Sequence, residues 1–299
     1  MYIRVNSLFV DKAKRHMVFN YITLFLFGSA IGSFLNVVSL RYKPGKKLFD
    51  ENVVAGRSHC PHCRKILSWY ELIPIISFII QKGECRHCRK KLLWQYPLIE
   101  ILSGLIFIFV PLSLGAPLFS PRAIIWILIF LIFLLIAIID FRQYIIPDQL
   151  NISLAVLGLF LINIKERVGD FGMFSGSFLE HYAALFGLRE NIWLNHFFAA
   201  LLGMFFFGLI ILLSRGRAMG WGDFKLIGPL GFIFGWPDIL MIIFLSFIVG
   251  SICVLPLLVK KEKTMKDAVP FGPFLIIAAS LTFFFGYQII NGYFSLFGA

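Results

Sequence analysis

Apolar stretches long enough to form membrane helices alternate with short polar breaks through most of this chain. The runs cover about 17–40, 97–115, 122–140, 148–164, 192–213, 238–258 and 270–293, with a shorter one at about 223–235 that ends before Pro237. A helix of about 20 apolar residues crosses the hydrocarbon core. The pattern therefore predicts an all-α polytopic membrane protein with about eight transmembrane helices. The first run is too long and too weakly marked for cleavage to be a signal peptide, so it reads as a retained helix. Leu72 to Ile80 is apolar but too short to span, which fits an interfacial or buried segment.

Charge gives these helices a direction. Residues 41–96 are the one large polar insertion, with twelve Lys and Arg against four Asp and Glu. Basic loops stay on the cytoplasmic side, so this segment is expected inside. Arg215 and Arg217 mark a second inner loop, and Lys260, Lys261, Lys263 and Lys266 a third. The loop 165–191 has no basic excess (Lys165, Arg167 and Arg189 against Glu166, Asp170, Glu180 and Glu190) and is expected outside. Eight spans then put both termini outside, although the basic lead at 1–16, with Arg4, Lys12, Lys14 and Arg15, pulls the other way. The organisation is read as 1–40, an N-terminal segment and first helix; 41–96, a small cytoplasmic cysteine-rich domain; and 97–299, a transmembrane domain.

Composition agrees. The chain is 59% hydrophobic with a mean hydropathy of +0.85, and only 15% of residues are charged, where soluble domains carry about a quarter. The net charge of +12 is accounted for by the inner loops, so nucleic acid is not an expected partner. The 35 phenylalanines read as lipid-facing and packing residues.

Two acids stand at span ends. Asp140 closes the third span, and Asp223 opens the sixth within Gly220-Trp221-Gly222-Asp223. At 1.5 Å per residue the third span is roughly 27 Å long, about one bilayer core, which puts both acids at the inner edge. Two carboxyls brought together hold one proton between them, so an acid and a base are ready at once. Hydrolysis of a peptide by water needs that pair. Gly220 and Gly222 leave room for a substrate backbone. A plainer reading makes the acids separate helix-end residues. The helix dipole favours Asp223 at a helix start but gives no such support to Asp140 at a helix end. A proton- or ion-coupled transporter is a further alternative, although such sites lie near mid-membrane among broken helices.

Four of the five cysteines form Cys60-X2-Cys63 and Cys85-X2-Cys88, separated by 21 residues. This spacing lets both thiolates of a pair face one tetrahedral ion, and four sulfurs close its shell, so a structural Zn2+ is expected. A reducing compartment disfavours disulfides there. His62 and His87 lie inside the knuckles and read as bystanders, and Cys253 as a packing residue.

In order along the chain stand Gly32-Ser33-Phe34-Leu35-Asn36-Val37-Val38 with Arg41 and Pro44; Cys60-Pro61-His62-Cys63; Ser68-Trp69-Tyr70-Glu71-Leu72-Ile73-Pro74; Gly83-Glu84-Cys85-Arg86-His87-Cys88; Tyr96-Pro97-Leu98-Ile99-Glu100; Asp140 with Ile146-Pro147-Asp148; Gly220 to Leu226; and Pro270-Phe271-Gly272-Pro273-Phe274. Taken together this series resembles the type IV prepilin peptidases, membrane aspartic proteases of the Gly-X-Gly-Asp class. The resemblance implies a bacterial inner-membrane enzyme that removes a basic leader from prepilins or pseudopilins at the cytoplasmic face, with Asp140 and Asp223 as the catalytic pair. Gly220, Gly222 and Lys225 are its implied support, and Asp148 a structural cap. It also implies methylation of the new N-terminus from S-adenosylmethionine. Gly83, Asn36 and Arg41 are possible contributors to that step, with Gly83 equally readable as a turn into the knuckle. Glu71, Glu84 and Glu100 are acids that could receive the leader.

Overall fold

The computed structural model describes residues 2–45, 48, 50–54, 56–117, 119–167, 177–186, 191–217, 219–262, 264 and 267–296. The side chains of the basic lead at 1–16, with those of Lys46, Lys47, Glu51, Arg167, Asp170, Arg189, Glu190, Lys263 and Lys266, lie outside the described residues. The helices are α1 (Tyr2–Arg41), α2 (Glu51–Val54), α3 (Ile76–Ile80), α4 (Gln95–Ser113), α5 (Pro121–Gln143), α6 (Asp148–Arg167), α7 (Ile192–Ser214), α8 (Trp221–Phe234), α9 (Asp238–Val259) and α10 (Gly272–Ser295). No strand longer than an isolated bridge occurs among the described residues. Seven of these helices (α1 from Phe19, α4, α5, α6, α7, α9 and α10) are long and apolar enough to cross a membrane.

The eighth expected crossing is α8, whose 14 residues rise about 21 Å. It runs back alongside α7. Asn195, in the first turn of α7, accepts the Trp236 N–H at 2.9 Å and donates to the Trp236 carbonyl at 3.0 Å, just beyond the end of α8. The far end of α8 therefore lies at the start of α7, and at 14 residues α8 is too short to be one of the seven candidate spans.

The chain forms two compact units, Met1–Leu135 and Ile136–Ala299. In the first, α1 packs on α4 through Gly28 and Gly32. A β-carbon at Gly32 would lie 2.7 Å from Ser103 Cβ and 2.9 Å from the Ile99 carbonyl. Small residues four apart bring membrane helices into such contact, and the Ser103 hydroxyl donates to the Gly28 carbonyl at 2.7 Å. Below this contact Gln95 donates to Asn36 at 2.9 Å. Arg41 then holds the following loop, donating to the carbonyls of Val53, Gly56 and Arg57.

Two of the acids considered as leader receptors are committed within this unit. Glu71 is buried and accepts the Ser68 N–H at 2.8 Å. Glu100 is buried and accepts the N–H of Ile75 at 2.7 Å. Ile75 has a φ of 63°, a conformation costly for a β-branched residue. Glu100 thus fixes a strained turn into α3.

In the second unit α8 lies between α6 and α7. Gly231 is pressed against the backbone of Ala200, where no side chain would fit. Asp238, at the start of α9, accepts the Ser177 hydroxyl at 2.6 Å and the Phe178 N–H at 3.1 Å. Midway along α9, Phe247 packs with Phe207 of α7 against the ring of Phe271, which anchors the start of α10.

Candidate active site and metal centre

Asp140 is in the last turn of α5. The Tyr144 N–H donates back to its carbonyl at 2.8 Å, and Tyr144 takes a φ of 57°, so the helix stops at once. Ile146, in the connection that follows, is buried against the site. Asp223 is the third residue of α8, with Gly220 as N-cap. Its carboxylate reaches back to the Gly220 N–H, half of a capping box, which satisfies one orphan donor of the helix start. The dipole explanation for an acid here is therefore met, but it does not exhaust the geometry.

Both acids are buried, with 4% of Asp140 and 7% of Asp223 exposed. The Asp140 carboxylate is near enough for its charge to be felt at Asp223. The sequence brings them together through two intermediates it did not advertise. A β-carbon at Gly272 would fall 2.6 Å from Asp140 Oδ2 and 3.0 Å from Ile146 Cδ1. One at Gly222 would sit 3.4 Å from Ile146 Cγ1. Ile146 thus bridges the neighbours of both acids. The Gly272 backbone N–H interacts with the Asp140 carboxyl, while Asp140 Oδ2 is buried with no hydrogen-bond partner among the described residues. Burying an unsatisfied carboxylate oxygen is costly, and such a group is placed to meet a reactant.

Gly272 and Ile146 are the residues that sequence reasoning did not assign to the site. The signal available was Pro270-Phe271-Gly272-Pro273-Phe274: aromatic anchors either side of a residue with no side chain. Lys225 turns elsewhere. Its ammonium pairs with Asp148 at 2.8 Å, and both side chains are more than half exposed.

The four cysteines converge. Their sulfurs lie within 4.8 Å of one another, with Cys60 Sγ and Cys88 Sγ 3.9 Å apart. A tetrahedron with Zn–S of about 2.3 Å has sulfur edges of about 3.8 Å. The two knuckles are copies of one turn. Cys60 and Cys85 donate to the carbonyls of Lys65 and Lys90, each at 3.0 Å, and Arg64 and Arg89 take φ of 58° and 52°. Backbone N–H groups of Cys88 and His87 pull the Cys85 thiol down to about 7. Cys88 is pushed up to about 11: a Lys90 N–H favours its thiolate, but burial and the other three sulfurs outweigh it. A cation among the sulfurs lets all four ionise together. His87 contacts Lys65 at 3.2 Å instead. The cluster is a fit for a metal held by Cys60, Cys63, Cys85 and Cys88.

Of the residues considered for methyl transfer, each has its own local engagement. Arg41 holds loop carbonyls. Gly83 turns the chain at a φ of 71°, with the Phe78 ring 3.2 Å from where a β-carbon would be. Asn36 is buried, and its Nδ2 has no hydrogen-bond partner among the described residues.

Residues 26–114 match the bacterial peptidase A24 N-terminal domain, and residues 127–255 match the type IV leader peptidase family. The chain is 30% identical to a prepilin leader peptidase/N-methyltransferase of Legionella pneumophila, over 92% of this chain and 94% of that one. It is 30% identical to a protein of the same description from Aeromonas hydrophila, over 90% and 92%, and 28% identical to one from Pseudomonas aeruginosa, over 95% and 97%. No solved structure gives a significant match.

Proposed function

The chain belongs to the type IV leader peptidase family, and from that premise we propose that it is a membrane aspartic endopeptidase that removes the basic leader of prepilins or pseudopilins and methylates the new N-terminus. The observation that carries the peptidase reading is the meeting of Asp140 and Asp223, buried together between Gly272, Gly220 and Ile146. The pair shares one proton. The carboxylate takes a proton from water as the water oxygen attacks the scissile carbonyl, and the carboxyl partner gives its proton to the carbonyl oxygen; the first acid then passes its water-derived proton to the leaving amine as the C–N bond breaks, and the partner recovers its proton from the hydroxyl as the carbonyl re-forms. Gly220 leaves room for the substrate backbone beside Asp223, whereas the missing side chains of Gly222 and Gly272 let Ile146 and Asp140 pack closely. Ile146 and the start of α10 limit access of bulk water.

The site works at the cytoplasmic face. Arg215 and Arg217 precede α8, and Lys260 and Lys261 follow α9, at the end of the bundle where α8 begins; basic loops stay inside. The Cys60, Cys63, Cys85, Cys88 site holds Zn2+ in a closed shell and ties the two knuckles together without taking part in chemistry. Methyl transfer belongs to the first unit. S-adenosylmethionine supplies the methyl group when bound, and among Asn36, Arg41 and Gly83 it is Asn36 that keeps donor capacity for a reactant. A transporter would need acids near mid-membrane, and no comparison favours that reading.

Co-expression with a prepilin tests the peptidase. Wild type should remove the leader, and Asp140→Asn and Asp223→Asn should each leave it attached while still inserting. Full leader removal by either variant would exclude the dyad.

A further inference from the structure

The exposed ion pair between Asp148 and Lys225 is not used by the reading above, and its position is informative. Asp148 lies two residues beyond Ile146, and Lys225 two residues beyond Asp223. The pair therefore sits at the rim of the site, joining the start of α6 to the start of α8. The Lys225 ammonium donates to both carboxylate oxygens, at 2.8 Å and 3.1 Å. Their side chains are 51% and 62% exposed. Exposed pairs of this kind contribute little to stability, so exchanging one cationic partner for another costs little.

We propose that Asp148 is a docking point for a basic side chain of the leader, and that Lys225 holds this place until substrate displaces it. The proposal rests on the leader-peptidase reading and names how that site selects its substrate. A basic leader needs an acid near the dyad, and candidates are few. Glu71 and Glu100 are buried and accept backbone N–H groups of the first unit, and Glu84, half-buried, is bridged through its backbone to Lys91 in the second cysteine knuckle of that unit. In the second unit Asp238 is buried and bound to Ser177 and Phe178, and Glu166 accepts the Trp193 indole N–H. Asp238 and Glu166 also lie at the helix ends opposite the dyad. At the dyad end Asp267 caps Thr264 within its own loop, and Glu262 stands beside Lys260 and Lys261. Asp148 is the exposed acid whose neighbours line the site. An extended chain advances about 3.3 Å per residue, so a basic residue a few positions before the scissile bond reaches it.

The test uses the full-length protein in lipid and two prepilin substrates, one with its natural basic leader and one with the leader's Lys and Arg changed to Gln. Asp148→Asn should raise KM for the basic substrate on the order of fivefold, with kcat unchanged, and should have no effect on the neutral one. Lys225→Met should do the opposite and lower KM for the basic leader, because it removes the competitor. If the pair is merely a brace, both variants lose activity alike on both substrates, and the proposal falls while the dyad stands. If wild type cleaves neither substrate, the proposal falls together with the peptidase reading.

Discussion

Gly272 lies so close to Asp140 that a β-carbon on it would sit 2.6 Å from the carboxylate Oδ2. The two residues are far apart in sequence, on α10 and α5, and they meet because Phe271 is anchored between Phe207 and Phe247. Gly272→Ala must move either Asp140 or the start of α10. A displacement near 1 Å at a catalytic group costs about a hundredfold. The expected result is loss of leader cleavage on that order, with normal membrane insertion. A cleavage assay beside a blot of membrane fractions checks both, and wild-type rates would show that the contact is slack.

Removing either acid should cost more than its neighbours do. General acid–base groups contribute roughly 10²–10⁴-fold, and the pair works as a unit. Asp140→Asn, Asp223→Asn and the double variant should therefore show similar residual activity, measured as leader-free pilin over time. Additive losses in the double variant would mean that the two carboxyls act independently.

The metal site should respond to pH in one direction. The Cys85 thiol normally loses its proton near 9.0 and does so here at about 7. Its thiolate is therefore present above that value and is lost as pH falls through it. Metal binding needs thiolates and releases protons, so retention of zinc should weaken progressively as pH falls. Release into a colour-forming chelator, followed against pH, measures this. Zinc held more tightly at pH 5.5 than at pH 8 would contradict the four-thiolate assignment.

Gly83→Ala separates a turn from a methyl-transfer residue. The φ of 71° and the Phe78 ring at 3.2 Å both oppose a side chain, and a strained residue costs on the order of 1–3 kcal/mol. Protease sensitivity of 76–94 should rise and zinc content should fall, with N-methylation falling in step. Lost methylation with zinc and protease resistance intact would instead assign Gly83 to the chemistry.

What the sequence made legible was what local pattern encodes. The long spans, the paired cysteines and the two acids at span ends are visible as hydropathy, spacing and isolated charge, and the structure has them in those places. Contacts between distant segments were not legible. Nothing near Gly272 indicates that its missing side chain is needed by Asp140, and nothing near Ile146 shows that it fills the gap between Gly222 and Gly272. Lys225 read as part of the Gly-X-Gly-Asp element because it is adjacent in sequence. On a helix, residues two apart face different ways, and it pairs with α6 instead. The short α8 was visible as a short run, but the Asn195 clamp just beyond its end depends on α7.

The backbone contact of Gly231 on Ala200, with Asn195 fastening the residue beyond α8, has a consequence for how the enzyme meets different membranes. A lone helix of 14 residues is far shorter than a bilayer and would shift or tilt with lipid thickness. Here its position is registered against α7 by atoms that cannot slide past one another. Asp223, in the first turn of α8, is thereby held in register with α7 by protein contacts rather than by the lipid around it.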